Sequence, residues 1–492
     1  MRRITAMLAV GDFGFGPYQL DTRLKRLLRD GVPVSLSLRL YDLLHAFVTH
    51  PGYVFSKDEL IRIGWHDVVV SDSSVEKIIC QLRERLDPSH ERYIATVPRH
   101  GYKFVAEVVP GNRRDGDVDL DALLAPHRSW VEGRAALETL EYEQIVSSRD
   151  VFTNLVQMYP AHAPFHVAMA NACVMQFEAT RTDAAPDVAS LRLAVGHSEK
   201  ACLLDPNLAE AWATRGFVLL RAGKPEDALG ALAKAVFLEG GNWRHQFRLA
   251  MGTWGEPRLE AVRQALAKCP HLPMAHFLAA MVHVARHALA EAEREIDGGL
   301  ATVEAELREE SKLLSVALYW LKGLLCLVRG AYDDAMAAFE RELALEARGH
   351  FYARECAANT WYAKGACFLR RNRLDDARAA FEQALLRVPL HPGARMGLRI
   401  VERRSSGTSS SHDPFEGPPE GAPLRFETYM AHAAWLVEVG DQAGAVKVLG
   451  NALAGAPRGT SGWTIPIDPM LQVVEHPDAY TSHLGTLHVR AR

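Results

Sequence analysis

The chain has 492 residues, 48% of them hydrophobic and 24% charged, with 56 Lys+Arg against 60 Asp+Glu and a formal net charge of -4. That length exceeds one ordinary core and predicts two or more domains, and the composition excludes global disorder. Residues 1 to 110 hold 15 Lys+Arg and 13 Asp+Glu, a net of +2 that leaves -6 for the rest, so any affinity for nucleic acid must come from locally placed cations rather than bulk charge.

Seven cysteines, at 80, 173, 202, 269, 326, 356 and 367, form no C-x-x-C pair, a pattern of buried thiols in a reducing compartment rather than of a disulfide framework. The opening MRRITAMLAVGDFGFG lacks a long apolar core and a cleavage signal, and Leu313 to Val328 is interrupted by Lys322 and too short to span a bilayer. A soluble, cytoplasmic protein with no membrane partner is expected.

Residues 13 to 36 are broken by Gly16-Pro17, Asp21 and Asp30-Gly31, which predicts a small antiparallel sheet. Ser37 then precedes a helix with Leu40, Leu43, Leu44 and Phe47 on one face, ended by Pro51-Gly52. Ser56 and Glu59 form a capping box on KDELIRIGW, and a short loop covers His66 to Val70. From Ser71 a further helix places Val75, Ile79, Leu82 and Leu86 on one apolar stripe, which leaves Ser73, Ser74, Lys77, Ile78 and Gln81 outward. Tyr93 to Val97 and Tyr102 to Ala106 read as strands joined by Pro98-Arg99-His100-Gly101, a turn with a basic tip. Spacing alone leaves two readings open, a DNA-reading helix with a wing or an ordinary amphipathic helix and hairpin.

The order sheet, helix, PGYVFSKDELIRIGW, loop, SSVEKIICQLRERL, YIATVPRHGYKF resembles the OmpR/PhoB-type winged-helix DNA-binding domain over roughly residues 13 to 107, within a domain expected at 1–109. The resemblance implies an α+β winged helix-turn-helix. Its last helix would enter a major groove, its hairpin would reach a neighbouring minor groove, and the loop before that helix would touch RNA polymerase. By position, Ser73, Ser74, Lys77, Ile78 and Gln81 become contacts to bases or backbone, Arg83 and Arg85 phosphate contacts, and Thr96, Arg99, His100 and Lys103 wing contacts. Ile78 and Gln81 stand where the family often has cationic or imidazole groups, and Glu76 and Glu84 oppose phosphate. The family's usual partner is a phosphorylated receiver domain ahead of the winged helix. Only about a dozen residues precede the first strand, fewer than the roughly 50 a domain needs, so phosphorelay-independent control is expected.

Residues 110–129 are expected to be a linker, opening with the turn-rich PGNRRDGDVDLD. Beyond it Trp212, Gly216, Ala228, Leu232, Ala235 and Gly240 recur at the same offsets as Trp361, Gly365, Ala377, Phe381, Ala384 and Pro389, and again as Tyr429, Ala433, Ala445, Leu449, Ala452 and Pro457. Tyr319, Gly323, Ala335 and Phe339 keep most of the register, and further units end at Pro160, Pro206 and Pro270, with another in 274 to 304. This pattern resembles the tetratricopeptide repeat and implies an all-α superhelical solenoid over 130–457 whose concave side binds a protein or peptide. Between 241 and 310 the register is poor, and other helical arrays stay open there. The Ser/Gly/Pro-rich residues 403–423 are expected to be a mobile insertion, and 458–492 a C-terminal cap or tail.

Tempting chemistry finds little support. Gly11, Gly14 and Gly16 lack the Gly-Lys-Ser/Thr of a phosphate loop, and His283 and His287, with Cys269, His271 and His276 nearby, lack a metal-protease motif. No cofactor, no metal and no enzyme activity is expected. The sequence predicts a one-component transcriptional regulator, an arrangement that resembles HilA-like regulators, binding double-stranded promoter DNA through its winged helix. The repeats would serve partner binding, signal sensing or self-association into a homodimer. The alternative is a non-enzymatic scaffold whose winged helix binds protein.

Overall fold

The structure, a computed structural model, describes residues 13–22, 24–65, 72–86, 93–110, 120–308, 316–406, 415, 417–418, 424–457 and 459–492. The chain divides into two compact units, Met1–His127 and Arg128–Arg492.

In the first unit β1 (Phe13–Phe15), β2 (Tyr18–Asp21), β3 (Arg26–Arg29) and β4 (Val32–Val34) pair antiparallel in sequence order, as the turn signals predict. The turn between β1 and β2 uses Gly16 at φ +55°, where an added Cβ would come within 2.7 Å of the Tyr93 hydroxyl. Alternation puts Tyr18, Leu20 and Leu27 on the buried face. They meet α1 (Leu38–Thr49), whose N-terminus is capped by Ser37 accepting from the Leu40 N–H. A two-residue β5 (Val54–Phe55) leads into α2 (Lys57–Trp65), and α3 (Asp72–Leu86) follows. A second sheet has the order β5-β7-β6, from β6 (Ile94–Val97) and β7 (Gly101–Phe104); β8 (Val109–Pro110) then pairs with β1. One core holds this unit together, with Phe15, Leu43, Leu44, Phe47, Leu60, Val75, Leu82, Ile94 and Phe104 all buried.

The expected linker is partly helical. Pro110 ends β8, and α4 (Leu120–Glu138) begins ten residues inside the predicted 110–129 span. In the sequence, the turn-rich residues just before Leu120 obscure the start of this helix.

The second unit is helical throughout. Its hairpins are α4 with α5 (Tyr142–Met158), α6 (Ala163–Thr180) with α7 (Val188–Leu204), α8 (Ala209–Arg221) with α9 (Pro225–Leu238), and α10 (Trp243–Gly252) with α11 (Glu256–Leu266). Next come α12 (Pro273–Ala285) with α13 (Leu289–Arg308), α14 (Leu318–Val328) with α15 (Tyr332–Ala344), and α16 (Ala353–Arg370) with α17 (Leu374–Arg387). A single helix α18 (Pro392–Ser406) packs between α17 and α19 (Arg425–Glu438); α19 pairs with α20 (Gln442–Gly455), and α21 (Pro477–Arg490) closes the unit. Hairpin pairing continues through 241–310, where the sequence register is poor. The predicted insertion 403–423 starts too early, since residues 403–406 complete α18, where Arg404 forks onto Glu438 at 2.8 and 2.6 Å; nearly all of its remainder lies outside the described residues.

Close approach sets the hairpin geometry. A Cβ added at Gly216 would lie 2.5 Å from Leu232, at Gly323 2.3 Å from Phe339, and at Gly365 2.5 Å from Phe381. The small residue on the first helix therefore forms the floor of the slot that the large residue on the second helix fills, and Leu232, Phe339 and Phe381 are all 0% exposed. One unit breaks the pattern. Where the others have Ala235, Ala384 and Ala452, the α15 hairpin has Glu342, 2% exposed, which accepts the Ala317 N–H at 2.6 Å and the Trp320 N–H at 3.2 Å. A carboxylate from the second helix thus satisfies the orphan donors at the start of the first. Ala317, at φ +77°, has no side chain that could do so.

Residues 459–492 do more than cap the last hairpin. Leu471, Val473, Tyr480 and Leu487 do pack on α19 and α20, but Trp463 lies against Phe277 and Trp320, with ring centroids 6.2 and 6.1 Å apart, and the Arg492 carbonyl accepts the Glu256 N–H at 2.9 Å. Among the described residues no helix is long and apolar enough to cross a membrane.

Two outcomes test this packing. Phe381→Ala empties a slot in which Gly365 and Gly397 leave no neighbour able to close in, and should cost about 3–5 kcal/mol in urea unfolding followed by helical circular dichroism. Burial pushes the Glu342 carboxyl from its ordinary 4.5 up to about 7, against the backbone hydrogen bonds that favour its ionised form. The folded chain therefore binds that proton more tightly than the unfolded chain, and the stabilisation is complete below about pH 4.5 and lost as pH rises through about 7. Glu342→Gln should flatten the pH dependence of the unfolding midpoint across that window relative to the parent chain; an unchanged slope would contradict the burial.

Candidate nucleic-acid interface

The face of α3 that points into the core is wider than a single stripe. Val75, Ile79, Leu82 and Leu86 are buried as predicted, and Ile78 joins them at 9% exposure. The outward placement of Ile78 was wrong. Packed on α1 and α2 within the core it shares with the wing strands, the helix buries a broad arc, and an isoleucine at its margin gains from facing inward. Glu76, Lys77, Cys80, Gln81, Glu84 and Arg85 remain exposed along the other side. Ser74 is half-buried, and the side chain of Ser73 lies outside the described residues, as do residues 66–70, the predicted loop that the resemblance links to RNA polymerase.

Glu76 is not an unopposed negative charge. Lys57, at the start of α2, sits 2.8 Å from its carboxylate. Both groups are solvent-exposed to a degree that makes the pair weak in energy, but it offsets the charge where phosphate would approach. Lys57 was missed in the sequence because the pairing crosses nineteen positions. Its own site was legible, since the predicted capping box forms: the Ser56 hydroxyl accepts the Glu59 N–H at 3.2 Å, and the Glu59 carboxylate accepts the Ser56 N–H at 2.8 Å. Partial burial raises the Glu59 carboxyl, but these bonds and the Tyr53 hydroxyl outweigh it and hold the group below its usual range.

Arg83 has a different placement from Arg85. Its Nε donates to the Ile94 carbonyl at 3.0 Å, a terminal nitrogen donates to the Thr96 hydroxyl at 2.8 Å, and the guanidinium lies 5.8 Å from the Tyr102 ring centroid. It therefore ties α3 to β6 and fixes the angle between helix and wing, and Thr96 is one of its acceptors. The fork geometry of a guanidinium suits this double hold.

The hairpin tip is set by two backbone constraints. Arg99 takes φ +67° and Gly101 φ +131°. At Gly101 a Cβ would stand 1.9 Å from the Phe55 carbonyl oxygen, so only glycine lets β7 pair with β5 there. Arg99 and His100 are exposed, and the His100 ring Nδ1, 2.9 Å from the Pro98 carbonyl oxygen, donates to it. Lys103 is half-buried in β7 opposite Ala95. The fold thus brings Lys77, Gln81 and Arg85 onto one face of α3 and Arg99 and His100 onto one hairpin tip, and it turns Arg83 and Ile78 to structural use.

Elsewhere, of the histidines noted in the sequence, His276 pairs with Glu295 at 2.8 Å, and among the described residues no group of three or more His, Cys, Asp or Glu could hold a metal ion.

If Arg83 fixes the wing, Arg83→Ala should cost about 1–3 kcal/mol and speed amide exchange at Ile94 to Thr96, with Arg83→Lys restoring little of it. Unchanged exchange in the alanine variant would show that the wing is held by its sheet alone.

Known proteins match the two units separately. Residues 31–104 match the family described as Transcriptional regulatory protein, C terminal, and residues 361–398 match the Tetratricopeptide repeat. Transcriptional activator CadC of Escherichia coli (strain K12) is 35% identical over 105 residues, 21% of this chain and 20% of CadC. Phosphate regulon transcriptional regulatory protein PhoB of the same strain is 34% identical over 106 residues, 21% of this chain and 46% of PhoB. The solved DNA-binding domain of E. coli CadC is 35% identical, with a TM-score of 0.19, over 20% of this chain and 97% of that domain. The chain thus spans about a fifth of CadC and under half of PhoB. The first unit carries an OmpR/PhoB-type winged-helix domain of the transcriptional regulatory protein, C-terminal family, and the second a tetratricopeptide-type helical array.

Proposed function

We propose that the protein is a one-component regulator that binds promoter DNA through residues 13–107 and takes a protein partner, or a second copy of itself, on its helical repeats. The observation that carries this reading is the pairing of an exposed polar and cationic face, Lys77, Gln81 and Arg85, with the basic tip Arg99 and His100, the two elements being locked together by Arg83. A helix face of this size fits a major groove, where Gln81 can read a base edge while Lys77 and Arg85 meet phosphates. The names of CadC and PhoB as an activator and a regulatory protein support the same class for this chain. The reading puts the protein in the cytoplasm with the DNA, without an enzymatic step and with control exerted through the repeats. The predicted loop at residues 66–70 is the stretch that would touch RNA polymerase. The few cations on α3 make repeated sites and self-association the route to adequate affinity.

Lys77→Ala with Gln81→Ala should weaken promoter retention in a mobility-shift assay at least tenfold, with circular dichroism unchanged. Arg85→Ala should lower affinity evenly across sequences and reduce the slope of log K against log salt by about 1. Full retention by the double variant would remove α3 as the reading helix.

A further inference from the structure

The stretch 459–470 lies along the helical array as a bound peptide would. Its neighbours are Phe277 on α12, Trp320 on α14, Tyr362 on α16 and Phe426 and Met430 on α19. Three of these helices are the first members of successive hairpins and the fourth opens the last hairpin, so the segment follows one face of the solenoid, the face its alternate helices share. The backbone bonds of Trp463, Ile465 and Ile467 are local turn bonds, to Thr460, Gly462 and Thr464, and its hold on the array is made by side chains. Trp463 sits edge-on between Phe277 and Trp320. Ile467 enters the core of α14 to α16, and Ile465 that of α19 and α20. Asp468 accepts from the Tyr362 hydroxyl at 3.3 Å.

The fit is incomplete at one point. The indole nitrogen of Trp320 is buried without a hydrogen-bond partner, although it lies beside the inserted Trp463. Leaving such a donor unsatisfied is unfavourable, so a peptide that presented an oxygen there would bind more tightly than the chain's own segment does.

We infer that residues 459–470 are a displaceable intramolecular ligand, and that the outside partner of this face is a peptide that folds into the same short 3-10 turn, with an aromatic residue followed by an apolar-Pro-apolar-acidic run, as in Trp463-Thr464-Ile465-Pro466-Ile467-Asp468. This rests on the reading that the repeats take a protein partner and gives that partner its chemistry. Both ends of the segment are anchored, one by α20 and the other by α21, whose far end is held where the Arg286 Nε donates to the Ala491 carbonyl at 2.9 Å. Release leaves both tethers in place and exposes Ile465 and Ile467, which are buried when the segment is bound. A tethered ligand competes at an effective concentration in the millimolar range, so the intact chain resists an added peptide.

The test uses the full chain with Trp463→Ala and a fluorescein-labelled synthetic peptide of residues 459–470, followed by anisotropy. The variant should bind the peptide at least tenfold more tightly than the parent chain, and a peptide with alanine at the tryptophan position should not bind. Equal affinity of variant and parent, or no binding by a variant of unchanged circular dichroism, overturns the inference. A second full-length protein, with a site-specific protease site inserted between Pro457 and Gly459 and cut after folding, should exchange its own segment for the labelled peptide. Loss of helix in both proteins would show the segment to be integral core and would also overturn it. Promoter retention measured on the same samples separates the two readings: retention without peptide uptake removes only the self-ligand, and uptake without retention removes only the DNA-binding regulator.

Discussion

Close approach of small residues to large ones is the constraint on which the helical unit depends. Gly216 under Leu232, Gly323 under Phe339 and Gly365 under Phe381 each bring two helices to a separation that any larger residue would prevent. Repeating that separation fixes the rotation from one hairpin to the next, and with it a continuous face made by alternate helices. Trp463 and Ile467 find matching sites only because this face is regular across α12, α14 and α16. The same constraint explains the irregular unit. Phe339 keeps its slot in α15, and this leaves Glu342 free to depart from alanine and serve as a cap for α14.

In the first unit the corresponding constraint is polar. A helix and a hairpin can each fold locally, but a surface that reads DNA needs them at a fixed angle. Arg83 supplies this through two acceptors on one strand and a ring on the next, and Gly101 supplies it from the other side by letting β5 and β7 pair. The cost is that one of the few cations on α3 is committed inside the protein. What remains outward is modest in charge, and the Lys57–Glu76 pair keeps it from being weaker still.

Much of this was legible in the sequence wherever the determining interaction is local. The capping box at Ser56 and Glu59, the turns at Gly16 and Asp30, and the small-under-large register all depend on residues within about twenty positions, and all appear as expected. Ile78 failed because a period counts one buried stripe, whereas α3 buries a wider arc in the shared core. Arg83 looked like a phosphate contact because its acceptors, Ile94 and Thr96, come from the hairpin, and sequence spacing gives no direction to a long side chain. The residues after Pro457 were the least legible. Their partners lie between about 100 and 235 positions away, at Glu256, Phe277, Arg286, Trp320 and Tyr362, and no periodicity carries information over that range.

These two constraints differ in how easily they yield. Apolar slots such as the one that holds Phe381 are lost only at a cost of several kcal/mol, so the hairpins persist through any change in what lies on their shared face. The segment 459–470 has side-chain contacts but only local turn bonds for Trp463, Ile465 and Ile467, and burial pushes the pKa of its Asp468 carboxyl up to about 6. Its single turn of 3-10 helix, Ile465–Ile467, is closed by bonds within the segment itself. Side-chain anchoring makes it a ligand that the array holds, with a free energy open to competition by any chain that fills the same sites and also satisfies the Trp320 indole. A regulator built this way can change what its repeats present while the repeats themselves stay folded.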